Sequence, residues 1–124
     1  MTLQELYDRR GGSYEAARRI LPMDTLISKF IIRLLSDESC GRLMEAYARN
    51  DARGIFEAAH SMKGVYANLG LLELSSMSSA IAEEVRPGKE RKMTDGELSG
   101  HIAALDEKYR AAVAAIRQFE AEQD

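Results

Sequence analysis

The sequence predicts an all-α protein: an up-and-down antiparallel four-helix bundle with short accessory helices at its N-terminus. Alanine, leucine, glutamate and arginine dominate the composition, and all four residue types favour helices. Apolar residues recur at spacings of three and four, whereas β-branched residues never alternate with polar ones over a useful length. The only two prolines, Pro22 and Pro87, stand where the apolar periodicity resets. Short connections between the helices favour antiparallel neighbours.

The first elements are short. A helix is predicted over residues 2–10, where two glycines end it, and a second over residues 13–20 with Ser13 as its N-cap. The chain of 124 residues is long enough for one core and suggests a single domain. Within it we expect residues 1–21 to form an accessory helical segment and residues 22–120 to form the bundle.

The bundle helices follow from apolar stripes and end signals. They are predicted over residues 24–47 with a break at the sequence SDES, 52–69, 72–86 and 94–120. Gly70 suits the C-terminal cap of the second of these helices. Thr94 and Glu97 form a capping-box pattern at the start of the last one. The sequence KERKM between the last two helices is expected to be an exposed loop.

Charge and composition exclude several classes of function. Seventeen basic residues face twenty acidic ones, giving a net charge of −3, which argues against broad binding to nucleic acid. No apolar run approaches the roughly 20 residues that span a bilayer, and the N-terminal residues lack the pattern of a secretory leader. Cys40 is the single cysteine, so an internal disulfide is impossible. We therefore expect a cytoplasmic protein that does not contact membranes.

His60 lies in the middle of the helix predicted over residues 52–69. Since each helical residue advances about 100° around the axis, five apolar side chains share the face that a bundle buries. They are Ile55, Ala58, Met62, Val65 and Leu69. His60 lies nearly opposite the centre of that face and is predicted to be exposed. Phe56 is one turn before it, Lys63 and Gly64 are one turn after it, and Ala67 is two turns after it.

This arrangement suits a covalent acceptor. A glycine inside a helix costs roughly 1 kcal/mol relative to alanine, and Gly64 would repay that cost by leaving the histidine open to a close partner. Neutral imidazole is a nucleophile near physiological pH, because its ordinary pKa is about 6.5. If His60 accepted a phosphoryl group, Lys63 could reach from the next turn and partly neutralise the added charge.

The stretch AAHSMKGVYANLG, residues 58–70, resembles the active-site helix of histidine-containing phosphotransfer (HPt) domains, whose motif is roughly A-H-x-x-K-G-x-x-x-x-L-G. The matching positions are Ala59, His60, Lys63, Gly64, Leu69 and Gly70. The flanking stretches LISKFIIRLLSD and LLELSSMSSAIAEEVRPG look like the neighbouring helices of that family. The resemblance covers roughly residues 22–120.

The resemblance implies a four-helix bundle in which His60 accepts a phosphoryl group from an aspartyl phosphate on a receiver domain. The chain would then pass that group to another receiver, in a response regulator or a hybrid histidine kinase. The Mg²⁺ and most catalytic groups would belong to the receiver, so no cofactor or metal is expected on this chain. Phe56 and Ala67 are candidate docking residues. The resemblance favours a monomer, although the regular last helix leaves pairing open.

Other interpretations remain at this point. The chain could be a helical interaction module that binds receivers or other partners without carrying phosphate, but an intact His60 counts against that. A metal-binding bundle is disfavoured, because the two histidines are isolated and no E-x-x-H pair occurs. His101 is interpreted as structural or surface. No P-loop or GxGxxG motif is present, so we expect a phosphotransfer intermediate rather than a kinase or another autonomous enzyme.

Two positions depart from the pattern of many relatives. Val65 and Tyr66 stand where small or polar residues are frequent in the family. Both fall towards the buried side of the predicted helix, so we interpret them as packing residues. At the rim of the site, Tyr66 would instead influence the choice of partner. Phe56 fits partial burial in the core and a docking patch equally well.

Overall fold

Helices make up all the regular secondary structure that the computed structural model describes, which covers residues 1–123. The seven α-helices are α1 (Leu3–Arg9), α2 (Tyr14–Ile20), α3 (Asp24–Arg33), α4 (Ser39–Ala48), α5 (Ala52–Asn68), α6 (Leu72–Glu84) and α7 (Asp95–Ala121). The predicted all-α bundle is confirmed at this level. Its finer up-and-down order of four long helices stays a prediction.

The break predicted at SDES divides the first bundle helix into α3 and α4. After α3 the chain tightens into a 3₁₀ turn at Leu34–Ser36 and becomes extended at Asp37. α4 begins only at Ser39, whose hydroxyl donates a hydrogen bond to the Asp37 carboxylate at 3.0 Å. Local side-chain hydrogen bonding of this kind competes with a continuous helix.

Both ends of α5 are defined by local hydrogen bonds, and Gly70 ends the helix as the sequence indicated. The Asp51 side chain accepts a hydrogen bond from the backbone N–H of Gly54 at 3.0 Å and so caps the first turn. At the other end, Gly70 adopts a left-handed φ of 71°, and the N–H of Leu71 donates to the carbonyl of Tyr66 at 2.9 Å. This is the Schellman arrangement, in which glycine avoids the cost of a positive φ.

α5 packs against α4 on one side and α6 on the other, and α6 in turn packs against α7. The crossing of α4 and α5 is close at Gly54. A Cβ atom added there would lie 2.9 Å from the Cβ of Ala46, closer than side chains tolerate. The core between the helices is closed by large buried side chains, which include Ile27, Ile31, Leu43, Met62, Tyr66, Leu74, Ile81, Ile102 and Phe119.

The N-terminal helices pack onto the end of α5. Tyr7 is fully buried, and its hydroxyl donates a 2.5 Å hydrogen bond to the carbonyl of Leu69. The backbone N–H of Ser13 donates to the carbonyl of Gly70 at 2.8 Å. Tyr7 and Ala17 belong to the same buried cluster as the bundle helices. The boundary that the sequence suggested between an accessory segment and a bundle stays a prediction.

α7 is the longest helix, with 27 residues, and it begins with the predicted capping box. The Thr94 hydroxyl accepts the N–H of Glu97 at 3.1 Å, and the Glu97 carboxylate accepts the N–H of Thr94 at 3.0 Å. Neither α7 nor any other helix within residues 1–123 combines the length and the apolar character needed for crossing a membrane.

The KERKM loop is held by a buried carboxylate. Its charged side chains are mainly exposed, as predicted, but the backbone is tied to Glu84 at the end of α6. One carboxylate oxygen of Glu84 accepts the N–H groups of Lys92 at 2.7 Å and Met93 at 2.8 Å. The bond from Met93 is the main reason that the pKa of the Glu84 carboxyl lies below its ordinary value, and it outweighs the opposing effect of burial.

We predict that Glu84→Gln lowers the melting temperature at neutral pH, because an amide accepts these two N–H groups more weakly than a carboxylate. The folded-state pKa of Glu84 is depressed, so its stabilising effect is complete above about pH 4.5, the pKa expected in the unfolded chain. The effect is lost as the pH falls through the folded-state pKa. Thermal unfolding followed by circular dichroism should therefore show that the difference in melting temperature between wild type and variant becomes smaller in acid. Glu83→Gln, at an exposed neighbour, is the matched control. A melting-temperature difference for Glu84→Gln that does not depend on pH would contradict the role assigned to the ionised Glu84 carboxylate.

Candidate functional site

His60 stands on the solvent side of α5. Ile55, Met62 and Tyr66 are at most 4% exposed on the opposite side, whereas His60 is exposed. The exposure predicted from the helical period is therefore confirmed. Among residues 1–123, neither ring nitrogen of His60 has a hydrogen-bond partner. Within the described residues, both nitrogens are therefore free to react or to accept a hydrogen bond from a partner.

Tyr66 is a packing residue, as the helical wheel predicted. Its ring is completely buried, and its hydroxyl finds no hydrogen-bond partner within residues 1–123. Burial is the main cause that raises the pKa of this phenol above its ordinary value. A side chain enclosed in this way has no surface with which to contact a partner.

Phe56 stacks on the imidazole of His60. The two ring centroids lie 5.5 Å apart, and the ring planes differ by only 19°. Phe56 is half-buried and packs against the hydrophobic core, so it is anchored while His60 is exposed. The sequence placed these residues one turn apart but did not reveal that their rings would be parallel.

Gly64 is exposed, and nothing in the packing requires it to be a glycine. A Cβ atom added at this position would meet no atom within 4 Å outside the local helix. This contrasts with Gly54 on the same helix, where Ala46 leaves no room for a side chain. A close helix crossing therefore does not explain Gly64, and the open space lies one turn from His60.

Lys63 is partly buried at the border between α5 and α6. Its backbone carbonyl accepts a 2.9 Å hydrogen bond from the hydroxyl of Ser75, which ties α6 to this turn of α5. Within residues 1–123 its ammonium group takes part in no ion pair. The charge thus remains available one turn from His60. Ser75 was not among the candidate site residues, because the sequence gives no sign of which α6 side chain meets Lys63.

A shallow groove of about 630 Å³ runs between α5 and α6 beside this turn. Its lining consists mainly of small side chains and includes Lys63, Gly64, Ala67, Leu72, Ser75, Ser76, Ser79, Ala80 and Glu83. Ala67 lies in this groove, two turns from His60 and partly exposed. Four of the six α6 residues that line this groove are serine or alanine, and Leu72 and Glu83 are its larger α6 side chains.

A second groove, of about 660 Å³, lies on the other flank of α5 and is apolar. Ile20, Phe30 and Val65 are among its lining residues, and Ile20 is 51% exposed. Val65 packs against the core, in agreement with its predicted packing role, but it is not fully enclosed. It is only partly buried, because α2 and α3 approach this end of α5 without closing over it.

Within residues 1–123, no group of three or more histidine, cysteine, aspartate or glutamate side chains lies close enough to hold a metal ion. His101 is exposed on α7. Cys40 is buried, and burial raises the pKa of its thiol to about 11, so the thiol is not a reactive nucleophile at neutral pH.

Comparison with family models gives a match over most of the chain. Residues 32–119 match the model described as Hpt domain, and the matched range contains His60, Lys63 and Gly64. Comparison with curated proteins and with solved structures gives no significant match. α1, α2 and most of α3 lie before the matched range, although they pack onto the same core.

Proposed function

This chain belongs to the Hpt domain family, and on that basis we propose that His60 carries phosphoryl groups between receiver domains in a multistep two-component phosphorelay. Membership of the family means histidine phosphotransfer in a phosphorelay and interaction with receiver domains. It also means a carrier rather than a kinase. The assignment to His60, the individual partners and the route of the phosphoryl group are our proposal.

The observation that carries the proposal is the exposure of His60 beside open space on the solvent face of α5. The lone pair of a neutral ring nitrogen attacks the phosphorus of a receiver aspartyl phosphate. A nitrogen–phosphorus bond forms, the bond from phosphorus to the aspartate oxygen breaks, and the carboxylate leaves. In the second transfer a carboxylate of another receiver attacks and the imidazole leaves. The step is reversible, because both bonds are of high energy.

Lys63 and Gly64 would assist this reaction in different ways. The ammonium group of Lys63 has no ion-pair partner within residues 1–123. It is one turn from the imidazole and would offset the negative charge that the phosphoryl group adds. Gly64 would let the receiver backbone approach the ring. We further propose that the groove containing Ala67 belongs to the surface that the receiver covers.

The partner supplies the remaining chemistry in this proposal. The receiver would hold Mg²⁺ and the groups that polarise the phosphoryl oxygens, so this chain needs neither a cofactor nor a catalytic base. We propose that the chain works in the cytoplasm and as a monomer. Receivers of response regulators and of hybrid histidine kinases are the expected partners.

The central prediction concerns labelling. Incubation with a phosphorylated receiver and Mg²⁺ should transfer a label to the chain that is labile in acid and stable in base, as a phosphoramidate is. His60→Gln should abolish the label, whereas His101→Gln, which changes the other exposed histidine, should retain it. A label that survives His60→Gln would refute the site. A chain that binds receivers across a panel without becoming labelled would instead be an interaction module.

Lys63→Ala should slow phosphoryl transfer about tenfold or more, since a charge-assisted hydrogen bond contributes about 1.5–3 kcal/mol. Stability should change by no more than about 0.5 kcal/mol, as at other surface positions. Lys63→Arg should keep most of the rate, and Lys29→Ala, at an exposed lysine of α3, is the matched control. Rates measured by quench-flow and stabilities from urea unfolding test this. An unchanged transfer rate in Lys63→Ala would show that Lys63 has no role in the reaction.

Gly64→Ala should separate stability from function. Because a Cβ atom fits there without contact, the substitution should raise the free energy of unfolding by about 0.4–1 kcal/mol while slowing transfer from the receiver. Gly100→Ala, at an equally open position of α7, should stabilise similarly and leave transfer unchanged. Gly54→Ala should destabilise by about 1–3 kcal/mol, because it crowds Ala46. If Gly64→Ala transferred at the wild-type rate, steric access would not explain the glycine.

A further inference from the structure

The stack between Phe56 and His60 restrains the exposed ring. Its separation of 5.5 Å and angle of 19° are those of an offset-parallel aromatic pair. Phe56 packs against the core and is half-buried, so its position is determined by the fold. His60 has no hydrogen bond to either ring nitrogen within residues 1–123. The aromatic contact is therefore the feature of the described structure that orients the imidazole.

The direction of this contact matches helix geometry. Long side chains on a helix lean towards its N-terminus, so the imidazole of His60 lies over the turn that carries Phe56. By the same rule a side chain at position 64 would lean back over His60. Gly64 has none, and the space there is empty. One face of the imidazole is thus covered by an aromatic ring, and the space beside the other face is open.

We propose that Phe56 is a positioning residue for phosphoryl transfer at His60: its ring covers one face of the imidazole and so fixes the plane in which the ring nitrogens and their lone pairs lie. This inference rests on the proposed function and adds a role to it. An exposed histidine otherwise exchanges among several rotamers. Selecting one of them before the receiver arrives removes an entropic cost from the reaction.

This role differs from docking, which is the other use of a partly exposed aromatic residue. A docking residue contributes to affinity for the receiver and leaves the reaction in the bound complex unchanged. A positioning residue leaves the affinity for the receiver unchanged and affects the reaction in the bound complex, because an imidazole in the wrong orientation remains so after the receiver has bound. The two roles can therefore be distinguished by measuring how the transfer rate depends on receiver concentration.

The test uses the full chain with two substitutions. Phe56→Leu keeps an apolar side chain against the core but removes the aromatic plane, and Phe56→Tyr keeps the plane. Phe56→Leu should lower the maximal transfer rate about three- to tenfold, the range expected for losing one aromatic contact, with the half-saturating receiver concentration unchanged. Phe56→Tyr should restore a rate near that of wild type. A raised half-saturating concentration with an unchanged maximal rate would overturn the proposal in favour of docking.

A second readout does not depend on transfer. In proton NMR spectra, the ring current of Phe56 should shift the carbon-bound ring protons of His60, and Phe56→Leu should remove that shift. The ring protons of His101 serve as the internal reference. His60 signals that are identical in wild type and Phe56→Leu would show that the rings are not stacked in solution, and would overturn the proposal.

Labelling and rate measurements together distinguish a failure of this inference from a failure of the function on which it rests. A wild-type chain that accepts no label from phosphorylated receivers would overturn the proposed function itself. A labelled wild type, together with a Phe56→Leu variant of equal maximal rate, would overturn the positioning role alone.

Discussion

The burial of one face of α5 is the constraint on which the rest of the site depends. Ile55, Met62 and Tyr66 are almost completely removed from water, and burying side chains of this size contributes about 1.5–3 kcal/mol each. Rotating the helix by one residue would expose part of this set. The rotation of α5 is therefore fixed by its core face, and His60 is directed outward as a consequence. The outer face needs no stabilising contact of its own, so it can be left bare around the imidazole.

Contacts at the two ends of α5 fix the position of the helix along its axis. Asp51 caps its first turn, and Gly70 turns the chain sharply after the last one. Tyr7 and Ser13 then bond to the two carbonyls at that end. These contacts come from helices outside the range that matches the Hpt domain model. The N-terminal segment thus stabilises the end of the site helix and forms part of the apolar groove beside it.

Much of this could be predicted, because helices are local structures. The caps at Ser13 and Thr94 depend on residues three positions apart, and both were indicated by residue type. The partial exposure of Val65 could not be predicted, for the complementary reason. Its place on the wheel was right, but its burial depends on whether a distant helix covers it. The even choice between partial core and docking patch for Phe56 had the same origin. The structure shows the ring partly buried against the core and stacked on His60.

The sequence by itself determined the helical class of the protein, the position of His60 on the outer face of α5 and the candidates Lys63 and Gly64 one turn away. These follow from a period of 3.6 residues, which operates within a few positions of each residue. Only the tertiary structure decided what surrounds them: the parallel stack of Phe56, the tie from Ser75 to α5, the two flanking grooves and the packing of Tyr7 onto Leu69. Most of these depend on side chains that meet across long stretches of chain, 62 residues for Tyr7 and Leu69. No local period encodes which of them will meet.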